Sequence, residues 1–506
     1  MVEILQNLGA GLWQALSPLN LILLFIGLIA GLIVGVLPGL TLVMGVVLLL
    51  PFTYPMATTQ AIVLLTAVYL AGTYGGAFTS ILFKIPGEPI HVPLLWEGYP
   101  MARRGEAAQA LGWTLFAALG GGLFSWLLMV LISQPFARVA LSFSTPEYFA
   151  IVFLGLTSVV VLGTGSVQRA VVSLLLGLLV ATVGVDDVYG AERFAFGSPL
   201  LRNGIDYLTV MVGAYAVAEV LARLEEGFSS ATLQKVGGVK TALPTLGQMR
   251  RVLSTFFRSS IIGAIIGAVP GAGATVASFV SYGVEKQYGK RRKEMGKGVP
   301  EGIVASQGAA TASVGGALIP LLTLGIPGSG ATAVILGAFL LHGVQPGPQV
   351  FQTSLDSIYT IYASVLVGLF LMSLIGYLAV KPLVRVMDFP EAVTSAFIMV
   401  LCFIGAFTIR NNITDVWMMV GFGVIGYIME RYNYPVAPLV LGTILGPLAE
   451  RAFMTTMISY ANDWTVFFRR PVSGVVMVIA IIGLLYTLLS PWLQKRKESP
   501  LLNKNC

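Results

Sequence analysis

Long apolar runs recur from one end of this chain to the other, and few charges interrupt them. Each is long enough to cross a bilayer core of roughly 30 Å as a helix. Charged residues make up 10% of the 506 residues, against about 25% in a soluble domain. That is too few to clothe a water-soluble surface. With 56% hydrophobic residues and a mean hydropathy of +0.86, the composition predicts an all-α polytopic membrane protein. A β-barrel would show short alternating strands instead.

The runs place eleven spans at 60–85, 110–133, 147–165, 170–185, 205–222, 303–328, 357–380, 392–409, 414–430, 435–449 and 472–490. Two further runs, 20–51 and 259–283, carry a Pro-Gly pair at mid-length, in "GVLPGLTLVMGV" and "AVPGAGATVASF". Residues 1–19 read as an interfacial segment. Residues 223–258 read as a cytoplasmic linker whose end, "TLGQMRRVLSTFFRSS" (245–260), is amphipathic. Residues 491–506 form a basic tail expected in the cytoplasm.

The two cysteines, Cys402 and Cys506, form no disulfide framework or metal spacing. No Lys or Arg occurs in the first twenty residues, so a cleaved signal peptide is not expected. The net charge of +7 is no nucleic-acid footprint, because membrane proteins gather Lys and Arg in cytoplasmic loops.

The chain repeats itself, with a first repeat at 20–222 and a second at 259–450. Gly31, Gly35, Pro38 and Gly39 match Gly263, Gly267, Pro270 and Gly271 at a constant offset of 232. "GGAFTSILFKIPG" (75–87) matches "GGALIPLLTLGIPG" (315–328) at offset 240, rising to 241 at the Pro-Gly. "LLWEGYP" (94–100) then meets "FLLHGVQP" (339–346), and beyond that the likeness fades.

Charge decides between two topologies. If 259–283 crossed fully, the basic stretch 285–297, Lys381, Arg385 and Lys495 to Lys497 would lie outside, inverting the positive-inside rule. If it enters from the cytoplasm and turns back, they stay inside. Each arm beside Pro270 has about ten residues, or roughly 15 Å of helix, half the bilayer core. Proline removes a backbone donor and glycine tolerates the turn. The expectation is a re-entrant hairpin with a Pro-Gly tip, mirrored by a second at 20–51, in an inverted structural repeat.

Four Pro-Gly breaks, at 38–39, 86–87, 270–271 and 327–328, each precede a new helix. A helix start offers unpaired N–H groups and a positive dipole end, worth roughly 0.3–1 kcal/mol to an anion and up to about 2 when partly buried. Desolvating a carboxylate costs several kcal/mol. Several termini with hydroxyls are therefore needed, as in many secondary transporters. The candidate substrate-binding residues are Pro38, Gly39, Thr41, Tyr74, Gly75, Gly76, Pro270, Gly271, Thr275, Pro327, Gly328 and Ser329. The candidate cation-binding residues are Thr73, Thr79, Ser80, Gln307, Thr311 and Ser313. Taken singly, each small residue is better read as helix packing; the clustering at duplicated breaks favours a site.

No Asp or Glu lies deep in a span, and Glu88 sits near an end. That favours Na⁺ over H⁺ as coupling ion, with no other cofactor expected. Lys84 is read as snorkelling or pairing with Glu88 more readily than as a substrate ligand. His91 and His342 read as loop-end residues, and "GYPMARRGEAAQALG" (98–112) as a basic cytoplasmic turn.

"GVLPGLTLVMGVVLLLPFTYP", "YGGAFTSILFKIPGEP", "EGYPMARRGEA" and "GGALIPLLTLGIPGSGATAVILGAFLLHGVQPGP" together resemble the large membrane subunit of the tripartite tricarboxylate transporters, over about residues 20–450. The resemblance implies a bacterial inner-membrane secondary transporter, not an enzyme. It implies two partners, a small membrane subunit of about four helices and a periplasmic solute-binding protein that delivers a carboxylate, with uptake driven by an ion gradient. Family members often carry an Asn pair before the second "GG"; here the stretch reads "ASQGAATASVGG" (305–316), which leaves the carboxylate open. Elevator-like movement of the hairpins and broken spans is the expected mechanism. An intramembrane protease would need a Ser–His arrangement or HExxH, neither of which occurs. A channel would need filter repeats or ion rings, which are also missing.

Overall fold

The structure is a computed structural model that describes residues 2–37, 40–162, 166–186, 188–227, 241–386 and 390–498. Pro38 and Gly39, and residues 228–240 of the linker, lie outside the described residues. Most of the described chain is helix; one antiparallel pair joins Gly184–Val185 to Glu192–Arg193. Among the described residues, ten helices are long and apolar enough to cross a membrane. The protein is a multi-pass membrane protein. Pro18–Val36 and Leu246–Ala268, read from sequence as parts of hairpins, are both long enough to be among the ten. Thr145–Val160, Val167–Ala181 and Pro471–Leu485 are shorter apolar helices.

The chain forms two compact units. The first comprises residues 1–141 and 211–424. Its helices are α1 (Val2–Ala15), α2 (Pro18–Val36), α3 (Leu42–Leu49), α4 (Thr58–Gly75), α5 (Ala77–Phe83), α6 (Val92–Arg103) and α7 (Ala107–Ala140). They continue with α8 (Leu246–Ala268), α9 (Gly273–Tyr288), α10 (Pro300–Leu324), α11 (Gly330–Leu341) and α12 (Leu355–Leu378). The second unit, residues 142–210 and 425–506, has its own apolar centre at Ala150, Met457 and Phe467. Ion pairs Arg470–Glu147 (2.6 Å) and Arg193–Glu450 (2.5 Å) tie its segments together.

The helices of the first unit begin and end where local chemistry dictates. Thr41 caps α3, its Oγ1 accepting from Met44 N at 3.2 Å. Thr245 and Gln248 form a capping box at the start of α8, which runs unbroken through the amphipathic stretch to Ala268. There the chain turns: Val269 is extended, Gly271 has φ +82° and Gly273 φ +62°. Only glycine enters that left-handed region without penalty. The arms then run back along each other. Thr255 Oγ1 donates to Glu285 at 3.0 Å, with Arg258 at 3.5 Å from the same carboxylate. Thr255 and Glu285 lie equally far in sequence from Pro270. In the first half, Gly45 of α3 packs on the Val34 side chain of α2.

Small residues let these helices touch backbone to backbone, and the touching pairs recur in the two halves. A Cβ on Gly31 would strike the Val68 carbonyl; one on Gly263 would strike that of Ala309. Gly35 meets the Gly72 carbonyl as Gly267 meets that of Ser313. Gly75 meets Leu32 O as Gly316 meets Ala264 O, and Gly87 meets Gly35 O as Gly328 meets Gly267 O. In every pair the hairpin residue shifts by 232 positions and its partner by 241. Helices α4 and α10, the inner members of each set, are almost wholly buried.

Candidate functional site

The breaks in α4–α5 and α10–α11 bring polar groups into the middle of the first unit. Helix α10 ends at Gly325 (φ +72°) and α11 starts at Gly330, capped by Ser329 and Thr332 in a reciprocal box. Ser329 N donates to Thr332 Oγ1 at 2.8 Å and Thr332 N to Ser329 Oγ at 3.3 Å. The equivalent place after α5 is Lys84 (φ +61°), 241 residues before Gly325. A lysine there adopts a conformation that glycine adopts freely, and its Nζ lies 5.7 Å from the centre of the Tyr99 ring.

Ser329 Oγ lies 3.3 Å from Tyr69 Oη, while the Ser313 hydroxyl donates to the Ala310 carbonyl of its own helix at 2.7 Å. One helix turn along α4, the Thr73 carbonyl accepts from two side chains at once, Gln307 Nε2 at 3.0 Å and His91 Nε2 at 3.1 Å. Gln307 Nε2 also donates to Thr311 Oγ1 at 3.0 Å. Because the Thr73 carbonyl only accepts, His91 carries its proton on Nε2 and Nδ1 is a bare acceptor. His91 Nδ1, Gln307 Oε1, Glu88 Oε1 and Tyr74 Oη are all buried without a protein partner. Buried polar groups are rarely left so.

The first residues of α3 and α9 approach these groups. Gly273, at the head of α9, comes against Ser329, and Val43 of α3 against Gly330. Ser278 of α9 donates to the Ile90 carbonyl at 2.9 Å, in the turn after α5. Helices α3 and α9 thus each meet the segment that follows the Pro-Gly of the other half.

The expected site residues divide accordingly. Thr73, Gln307 and Thr311 are linked by hydrogen bonds; Ser329 meets Tyr69, and Ser313 bonds within its own helix. Thr73 takes part through its backbone oxygen, its hydroxyl being bonded to Leu70 O at 2.7 Å. Thr79 and Ser80 both donate to Gly76 O, at 3.0 and 2.8 Å. Gly75, Gly76, Pro327 and Gly328 are buried; Thr41, Pro270, Gly271 and Thr275 are half-buried. Tyr74 packs its ring on Gly376. Sequence reasoning passed over Tyr69, Glu88 and His91. The last two stand opposite Ser329 and Thr332 at offset 241, a signal that the repeat itself carries.

Comparison with known proteins agrees in extent. The family model described as "Tripartite tricarboxylate transporter TctA family" matches residues 21–441. An "Uncharacterized 52.8 kDa protein in TAR-I ttuC' 3'region" of Agrobacterium vitis is 34% identical over 501 residues, 98% of this chain and 99% of that protein. An "Uncharacterized protein in TAR-II ttuC' 3'region" of the same organism is 34% identical over 236 residues, 47% of this chain and 98% of that protein. No solved structure matches.

Proposed function

The chain belongs to the tripartite tricarboxylate transporter TctA family, and on that premise we propose that it is the subunit through which an organic anion crosses a bacterial inner membrane. It is a transporter subunit, and transporters of this family work as three-component systems. The cargo is a di- or tricarboxylate or a related organic anion. A periplasmic solute-binding protein delivers it, and a small membrane subunit of about four helices completes the complex. The two sets of helices form an inverted repeat, and their folded-back segments are re-entrant hairpins with the C-terminus in the cytoplasm. The hairpins with α4–α5 and α10–α11 move together against the rest, in the manner of an elevator, and a cation gradient, Na⁺ on the sequence argument, drives accumulation.

The observation that supports this reading best is the meeting of both halves at Tyr69 and Ser329. There the Ser329 hydroxyl, at the start of α11, meets the Tyr69 hydroxyl of α4. The positive end of a 12-residue helix is suited to a carboxylate, and oxygens without donors are suited to a cation.

The test is uptake of labelled citrate, malate, succinate and tartrate into vesicles holding this chain with its two partner subunits. Accumulation of one of them that requires the binding protein and an imposed cation gradient is expected, and Ser329→Ala should reduce it at least tenfold. Flux that needs neither the binding protein nor a gradient, or no flux of a carboxylate that the binding protein demonstrably holds, would overturn the reading.

A further inference from the structure

Pro86-Gly87-Glu88 and Pro327-Gly328-Ser329 occupy equivalent places, 241 residues apart, with their glycines on equivalent carbonyls. The residue after each glycine has nearly the same backbone, φ −142° and ψ 164° at Glu88, φ −152° and ψ 168° at Ser329. One fold position therefore presents a hydroxyl in one half and a carboxyl in the other. Both act on one group: Ser329 hydrogen-bonds Tyr69 Oη, and Glu88 is within electrostatic reach of that hydroxyl. Glu88 is 9% exposed, and its Oε1 has no partner.

The charged groups around it are engaged elsewhere. Lys84, on the same loop, is held over Tyr99. His91 gives its only proton to Thr73 O. On α6, Glu97 is enclosed by N–H donors; on α9, Glu285 is paired with Arg258; on α10, Glu301 is paired with Arg291. Tyr69 is the titratable group of α4 that faces Glu88. Burial pushes the Glu88 carboxyl up to about 8, so it holds a proton at neutral pH.

The charge on Glu88 decides what the start of α11 can bind. An ionised carboxylate would compete for the positive helix end and repel an organic anion. A protonated one leaves that end free and adds an O–H donor. We propose that Glu88 is the proton-coupling residue of the anion site, taking up a proton with the organic anion on one side of the membrane and releasing both on the other. The proton is bound and released without any bond to carbon being made or broken. The proposal rests on the transport reading above and adds a proton to its coupling. The sequence argument for Na⁺ alone looked for a carboxyl within a span, whereas Glu88 is carried into the interior on a loop.

The first experiment needs neither partner nor cargo. Infrared difference spectra of the full chain in lipid nanodiscs, between about pH 6 and about pH 10, should show a protonated-carboxyl band lost with a midpoint well above the ordinary glutamate value. Glu88→Gln and Glu88→Ala should both lack it. No such band in the wild type, or its persistence in either variant, would overturn the proposal. In the three-subunit vesicles, E88Q should lose at least tenfold of the accumulation driven by an inside-alkaline pH gradient, and a thermal midpoint like that of the wild type shows that the variant is folded. Equal pH-driven accumulation by E88Q and wild type would overturn the coupling role. Wild-type vesicles that transport no carboxylate would strike the transport reading alone, leaving the infrared result to judge Glu88.

Discussion

Gly87 and Gly328 show how narrowly a single atom is constrained here. A Cβ at either would collide with a backbone carbonyl, that of Gly35 or Gly267, and a carbonyl inside a packed helix cannot swing aside as a side-chain tip can. Gly87→Ala and Gly328→Ala should each cost more than about 2 kcal/mol through overpacking, lowering the thermal midpoint of the purified protein. Gly283 is the control. It lies in α9 with open space where its Cβ would be, so Gly283→Ala should leave the midpoint unchanged or raise it, by about 0.5–1 kcal/mol of helix propensity. Equal losses at all three positions would show that glycine matters here for some reason other than close approach.

At the scale of elements, Glu97 joins the two halves. It lies on α6 and is fully buried. Its Oε1 accepts from Tyr282 Oη at 2.9 Å and Gly296 N at 2.5 Å; its Oε2 accepts from Gly298 N and Val299 N, both at 2.8 Å. The last two N–H groups belong to the approach and cap of α10, where a negative charge also meets the helix dipole favourably. Arg104, at the end of α6, holds the Lys297 and Gly298 carbonyls of the same loop at 2.5 and 2.7 Å. Glu97→Gln replaces one acceptor by a donor among donors, and should destabilise by about 1–3 kcal/mol. The midpoint of thermal unfolding checks it; a change within error would show that the loop is held by Arg104 alone.

Glu97 also marks where sequence reading stopped. The helices, their breaks and the repeat were legible because apolar length, Pro-Gly and a fixed offset are written along the chain. The basic turn 98–112 was legible as a charge pattern, but its neighbour Glu97 pairs in the alignment with His342, where no such clasp exists, so the repeat gave no hint of it. Tyr69 was hidden for a similar reason. Its counterpart at offset 241 is Ala310, and an aromatic within an apolar run reads as packing. Buried polar partners chosen across the two halves follow from the three-dimensional meeting of segments that no local pattern records. Glu88 was seen as lying at a span's end, and its burial came from the loop folding inward.

At the scale of the whole molecule, the fold-back at Pro270 and the side of the membrane that it faces are separate matters. The contact of Thr255 with Glu285 requires the first half of α8 to lie against the last turn of α9. It follows that the basic segment after α9 shares a side with the start of α8 whatever the depth of the tip. On the proposed topology that side is the cytoplasm, because Lys286, Lys290, Arg291, Arg292 and Lys293 gather there. A chain with Cys402 and Cys506 replaced and a single cysteine at Lys290 should react with a membrane-impermeant maleimide only when inverted vesicles expose the cytoplasmic face. A cysteine at Arg202 should react only from the opposite face of intact cells. Labelling of Lys290→Cys from outside intact cells would mean that the segment lies on the periplasmic side, and the two halves would then no longer face each other as an inverted pair. Labelling of both cysteines from the same side would contradict the odd number of crossings that this topology sets between them, even if the hairpin itself survived.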